Sequence, residues 1–184
     1  MNLVDRVKNI LLTPKTEWPT IAAESATPQS IYTGYIMILA AIPAIVILLR
    51  VGISSGISVY LMTLIGMLLV AFVADALAPT FGGEKNFTQS LKIVAYSYTG
   101  VWIAGIFMLL GAIGGLVVLI AGIYAWYTFY LGAPSVKKVP AEKAVGYTLV
   151  VLVCLFILGI ILKLVFWSMI FGGAAGMGSM GLFR

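Results

Sequence analysis

The sequence predicts an all-α integral membrane protein, a single bundle of five transmembrane helices. Three observations carry that reading: five apolar runs of bilayer length, basic residues confined almost wholly to alternate connections, and a composition 62% hydrophobic and 9% charged over 184 residues. A hydrocarbon core is crossed by roughly 20 predominantly apolar helical residues. The runs Ile31 to Leu49, Ile57 to Ala78, Ile93 to Leu110, Gly114 to Leu131 and Val145 to Phe171 are each close to or above that length. The connections are too short to fold a soluble domain beside the bundle. The expected organisation is an amphipathic and interfacial segment over 1–30, a five-helix domain over 31–171 and a flexible glycine-rich tail over 172–184.

Orientation follows from Lys and Arg, which are retained on the cytoplasmic side of short loops. Arg6, Lys8 and Lys15 precede the first run, Lys85 and Lys92 follow the second, and Lys137, Lys138 and Lys143 follow the fourth. Only Arg50 and Arg184 fall on the other side, with Lys163 inside the last run. The amino terminus is therefore expected in the cytoplasm and the carboxyl terminus outside. The net charge of +5 follows this alternation and does not gather on one face or in a tail, so it indicates topology and attraction to anionic lipid rather than nucleic acid.

Before the first run, Leu3, Val4, Val7, Ile10 and Leu11 recur at helical spacing among Asp5, Arg6, Lys8 and Asn9, the pattern of a short amphipathic helix at the cytoplasmic headgroups. Thr13-Pro14 should end it. An acid among the opening bases, and no long apolar stretch behind them, do not read as a cleavable signal. Trp18 is expected to anchor the segment at the interface, where an indole keeps its N–H hydrated and its body in lipid. Thr27 and Pro28 suit the cap and first turn of the next helix, and Pro43 should kink it. The loop Phe81-Gly82-Gly83-Glu84-Lys85-Asn86-Phe87 reads as a plain turn, since the phosphate-cradling lysine pattern is missing. Few residues join the third and fourth runs around Gly111 to Gly115, which makes them a tight antiparallel hairpin with small residues for close packing.

Side-chain chemistry has little to work with. The chain has no histidine, which excludes His general-base catalysis, His-ligated haem and His-containing zinc sites. No two of its six acidic residues stand at i, i+3 or i+4, and its one cysteine, Cys154, has no partner for an intrachain disulfide. No catalytic, cofactor or metal residue is assigned, and no small-molecule substrate is identified.

Several segments resemble bacterial members of the Yip domain family, whose eukaryotic members are Ypt/Rab GTPase-interacting membrane proteins. They are Thr13-Pro14-Lys15-Thr16-Glu17-Trp18 with Ile21 and Glu24, Phe81-Gly82-Gly83 leading to Phe87 and Gln89-Ser90-Leu91-Lys92, Val94-Ala95-Tyr96-Ser97-Tyr98, and Val139-Pro140-Ala141-Glu142-Lys143-Ala144. The resemblance runs from about Leu3 to Leu162 and implies five spans, a cytoplasmic amino terminus and a bacterial inner membrane. Where a proline often follows the aromatic stretch in the family, this chain has Thr99-Gly100-Val101. It also lacks the long acidic, aromatic cytosolic region of the eukaryotic proteins, so GTPase binding is not carried over.

Ionisable residues inside spans are functional candidates by default, because burying them unpaired is costly. Asp75 lies four residues before Pro79, roughly 6 Å from the cytoplasmic end at 1.5 Å per residue. Lys163 lies near the outer surface, where it should snorkel to headgroups with Trp167 as an anchor beside it. Tyr96, Tyr98, Tyr124, Tyr127, Tyr130 and Tyr147 share the leaflet of Asp75, and their hydroxyls could converge with Asp75, Ser97 and Thr128 in a polar pocket. The alternative is an ordinary aromatic belt with Asp75 capped by water or Lys92. The function expected is non-enzymatic binding or scaffolding, with membrane lipids, other integral membrane proteins or a second copy as partners. A small solute, ion or proton conductor using Asp75 and an accessory subunit of a larger complex are the alternatives.

Overall fold

The computed structural model describes residues Asn2 to Ser179, with side chains described to Leu164. Nearly all of these residues are helical, and no strand occurs among them. Five segments are long and apolar enough to cross a membrane: Pro28–Val51, Ile53–Phe81, Phe87–Leu110, Ala112–Lys137 and Ala141–Leu164, the first to fifth spans. At 24 to 29 residues they measure roughly 36 to 44 Å at 1.5 Å per residue. That exceeds a hydrocarbon core of about 30 Å, so their ends reach the headgroups. The third span is central, with half of its residues buried, whereas only 17% of the fifth is.

Local chemistry explains where the spans begin. Thr27 and Ser30 form a reciprocal capping box, each side-chain oxygen 3.1 Å from the other residue's amide, and Pro28 fills the first turn. The helix opens with a π-turn over Tyr32–Ile36 and carries Pro43 within Met37–Val51, packed against Gly105 of the third span. Asn86 caps the third span by accepting the Gln89 amide at 3.1 Å.

The third span, Phe87–Leu110, is locally irregular: it runs Phe87–Ser97, makes a turn at Tyr98, continues over Thr99–Ala104 and tightens to a 3-10 helix over Gly105–Leu110. At that turn Thr99 donates its hydroxyl to the Tyr96 carbonyl at 2.7 Å. The fifth helix continues as far as Ser179. The remainder of the expected tail, 180–184, lies outside the described residues.

The amino-terminal segment forms two helices, α1 (Leu3–Leu12) and α2 (Pro14–Ala23). Asn2 caps α1 by accepting the Asp5 amide at 2.8 Å, and the break at Thr13-Pro14 falls where proline's steric demand placed it. Of the expected apolar stripe, Ile10 is buried and Leu3, Val7 and Leu11 pack on the core; only Val4 is exposed, and Arg6 is buried on the same face. α1 and α2 make a hairpin lying along the third and fourth spans. Leu11 rests against Gly100, and its carbonyl accepts the Tyr124 hydroxyl at 2.8 Å. Phe87 to Gly100 and Tyr124 to Lys137 are each 13 residues, so the hairpin tip lies roughly 20 Å from the amino-terminal end of the bundle at 1.5 Å per residue. The segment thus packs on protein and does not merely rest on lipid.

Candidate functional site: paired charges at the amino-terminal end

The ends of three spans meet at Asp75. One oxygen, Oδ1, accepts from the Lys137 ammonium at 2.9 Å, the Ser90 hydroxyl at 3.0 Å and the Asn86 amide at 2.7 Å. Lys137 donates also to the Asn86 carbonyl at 3.1 Å, and its side chain has no exposed surface. The second span supplies the acid, the fourth the base, and the capped start of the third the two neutral donors. The intervening loop is fastened to the same place, with the Glu84 amide 2.9 Å from the Lys137 carbonyl. Gly83 is needed for that approach, since a Cβ there would stand 2.7 Å from the Lys137 carbonyl oxygen and 2.7 Å from a Val139 methyl. At the surface above, Lys138 pairs with Glu84 at 2.8 Å, both well exposed.

A second set of charges holds the hairpin. Arg6 of α1 forks between Glu17 of α2 and Glu24, which ends it, and its guanidinium sits 5.4 Å from the ring centre of Tyr96. Lys92 of the third span donates to the Ile21 carbonyl at 2.9 Å and to the Glu24 carbonyl, placing a cation on the orphan carbonyls at the end of α2. Two cations thus offset two carboxylates here, as one offsets one at Asp75. Buried charge is tolerated in apolar surroundings when it is paired and hydrogen bonded in this way.

Trp18 of α2 faces the fourth span. Its side chain is fully buried, and the indole N–H donates to the Thr128 carbonyl of the fourth span at 2.9 Å. Gly132 makes room for it, because a Cβ at that position would come within 2.7 Å of the indole. The expected lipid-facing anchor is therefore a protein-facing plug: α2 brings a hydrogen-bond acceptor and an apolar slot to the ring, which suit it better than headgroups.

The residues expected to surround Asp75 are not gathered there. Tyr96 lies under Arg6 and edge-on to Tyr35, whose hydroxyl pairs with that of Thr99 at 2.7 Å. Ser97 is buried with no partner for its hydroxyl among the described residues, and Tyr98 packs against Trp102. Tyr124 bonds Leu11, Tyr127 is 44% exposed, and Thr128 donates to the Tyr124 carbonyl at 2.8 Å. Tyr147 comes nearest to the expected role, donating to the Ala74 carbonyl at 2.7 Å one residue before Asp75. Lys92, the alternative cap for Asp75, is engaged with α2. Lys163 is exposed on the fifth span, and the side chain of Trp167 lies outside the described residues.

Sequence reasoning missed Lys137 as the partner of Asp75, along with Arg6, Glu17, Glu24, Asn86 and Ser90. One signal was available: Arg6 and Ile10 stand four apart, so a charge shares the face that the helix buries. Among comparisons with known proteins, the model of the Yip1 domain matches residues 8–163. No curated protein and no solved structure matches the chain.

Proposed function

We propose that this chain, which belongs to the Yip1 domain family, is a non-enzymatic scaffold of the membrane it spans, binding other membrane proteins or lipids through the amino-terminal end of its bundle. Proteins of this family interact with membrane proteins. The observation that carries the reading is the mutual pairing of Arg6 with Glu17 and Glu24 and of Asp75 with Lys137. Groups held in that way fix the shape of a surface. The segments that resemble the family, around Trp18, Gly83, Ser90, Tyr96 and Val139, converge on the same end. The distribution of Lys and Arg supports turning that end toward the cytoplasm, and the resemblance to bacterial members of the family supports a bacterial inner membrane.

A conductor using Asp75 is less well supported, because its carboxylate is already neutralised by Lys137. The slightly buried fifth span leaves an apolar face that an accessory subunit could use. Purification in mild detergent followed by mass spectrometry is expected to recover a stoichiometric protein or lipid. A chain recovered with neither, which instead passes protons or a small solute through liposomes, would overturn the scaffold reading.

A further inference from the structure

We infer that the gap between the second and fifth spans is a mid-bilayer site for an apolar lipid whose polar group is a carbonyl, the chemistry of an isoprenoid quinone, with Tyr98 as its hydrogen-bond donor. This goes beyond the scaffold role, which rests on the amino-terminal end of the bundle. At that end the two spans touch, the Tyr147 hydroxyl donating to the Ala74 carbonyl at 2.7 Å. Further along they part around Gly66 and Gly159, leaving a cavity of about 270 Å³ lined also by Met62, Leu158 and Leu162 and by Tyr98 of the third span. The two glycines keep it open: a Cβ on Gly159 would meet nothing within 4 Å, and one on Gly66 only a Leu162 methyl at 3.9 Å. The volume falls just under the roughly 300 Å³ of the smallest ligand pockets, so it takes one ring-sized group while the rest of the molecule lies in lipid.

The lining holds two polar side chains, Thr63 and Tyr98, and no charged one. Thr63 is already engaged, donating to the Val59 carbonyl at 2.8 Å. The Tyr98 hydroxyl has no hydrogen-bond partner among the described residues, yet it is not sealed in the core as the Ser97 hydroxyl and the Trp102 indole are. The other void it borders, about 20 Å³ beside Ser97, has room for no more than a single water. The hydroxyl is therefore a free donor facing an apolar gap, and a donor in hydrocarbon gains most from an acceptor brought by the occupant. An apolar pocket with one placed polar group suits a neutral ligand, not an ion.

Depth selects the acceptor. Tyr98 stands 11 residues from Phe87 and 12 from Leu110, the two ends of its span, so it lies near the bilayer midplane. Phosphates and ester carbonyls of phospholipids stay outside or at the edge of a hydrocarbon core about 30 Å thick. An acyl chain reaches the midplane but carries no acceptor there. A quinone brings both an apolar isoprenoid tail and ring carbonyls that accept hydrogen bonds within the hydrocarbon. Leu61, Ile65, Ile160 and Ile161, next in the chain to the lining residues, are exposed, so the mouth of the gap faces lipid and admits such a molecule sideways.

The test titrates the full chain in neutral detergent with decylubiquinone and reads tryptophan fluorescence. Trp102 packs on Tyr98 with ring centres 5.6 Å apart, so a quinone in the gap should quench it saturably. Decylbenzene, which has the ring and the chain but no carbonyl, should compete poorly. Tyr98→Phe should weaken binding roughly fivefold, the equivalent of about 1 kcal/mol for one net hydrogen bond. Gly159→Leu should abolish it by filling the gap, and Gly122→Leu, at an equally open glycine of the fourth span, should leave it unchanged. Both replace a helical glycine with a better helix former, and circular dichroism checks that each variant is folded. Equal competition by decylbenzene would reduce the gap to an acyl-chain crevice. Full quenching in Gly159→Leu, or an equal loss in Gly122→Leu, would place the quinone in the micelle. Any of these, or Tyr98→Phe binding as tightly as the parent, overturns the site and leaves the scaffold role standing.

Discussion

At the residue scale, Asp75 is held by three donors on one oxygen while Lys137 has no exposed surface. Removing either charge strands the other in apolar surroundings, which typically costs about 3–5 kcal/mol. Asp75→Leu and Lys137→Met should each lower the unfolding midpoint of the detergent-solubilised protein by that measure. The two together should cost far less than the sum, because an apolar pair of similar volume is often neutral. Additive losses would show that the contact is not energetically coupled. Trp18→Ala should cost about 3–5 kcal/mol as a large core truncation, and Trp18→Phe less, chiefly the hydrogen bond to Thr128 at about 1 kcal/mol. That Trp18 and Asp75 matter was legible from residue type alone. Their partners were not, since they lie 110 and 62 residues away in the chain.

At the scale of elements, the hairpin and the third span depend on each other. Lys92 reaches from the third span to the carbonyl end of α2, and Arg6 ties α1 to α2 across their shared turn. Lys92→Met should therefore loosen the hairpin selectively. Hydrogen exchange read by mass spectrometry is expected to quicken over α1 and α2 while the other spans stay protected; a uniform increase would mean that the hairpin is not a separable unit. The boundaries of α1 and α2 could be read from Thr13-Pro14, and the start of the first span from Thr27-Pro28. The turn at Tyr98 could not, because no proline or helix-breaking run marks it: Thr99 and Tyr35, on different spans, replace the local signal with a tertiary one.

Across the whole molecule, the five spans place the loop at Lys85 and the α1 end of the chain on one side, and the turns at Ser54 and Ile113 on the other. In a Cys154→Ala background, a membrane-impermeant thiol reagent added outside the cell should modify Ser54→Cys and Ile113→Cys and spare Lys85→Cys. The reverse pattern would invert the orientation drawn from Lys and Arg. The buried core lies mainly at the amino-terminal end, around Ile10, Trp18, Ile21, Leu91, Ile93 and Tyr147, and the other end is the more lipid-exposed. The paired charges therefore lie at the better-packed end of the bundle.

The sequence by itself determined the number of crossings, their approximate limits and the helical class, because the cost of leaving backbone unpaired in hydrocarbon acts on each run separately and needs no knowledge of its neighbours. Which way each span is turned about its axis was decided only by the tertiary structure. Rotation depends on what the neighbouring helix offers: Lys137 for Asp75, the Thr128 carbonyl and the space over Gly132 for Trp18, and the Leu11 carbonyl for Tyr124. Apolar runs of even hydrophobicity carry no periodic mark of that rotation, so the pairings appear only once the helices are packed.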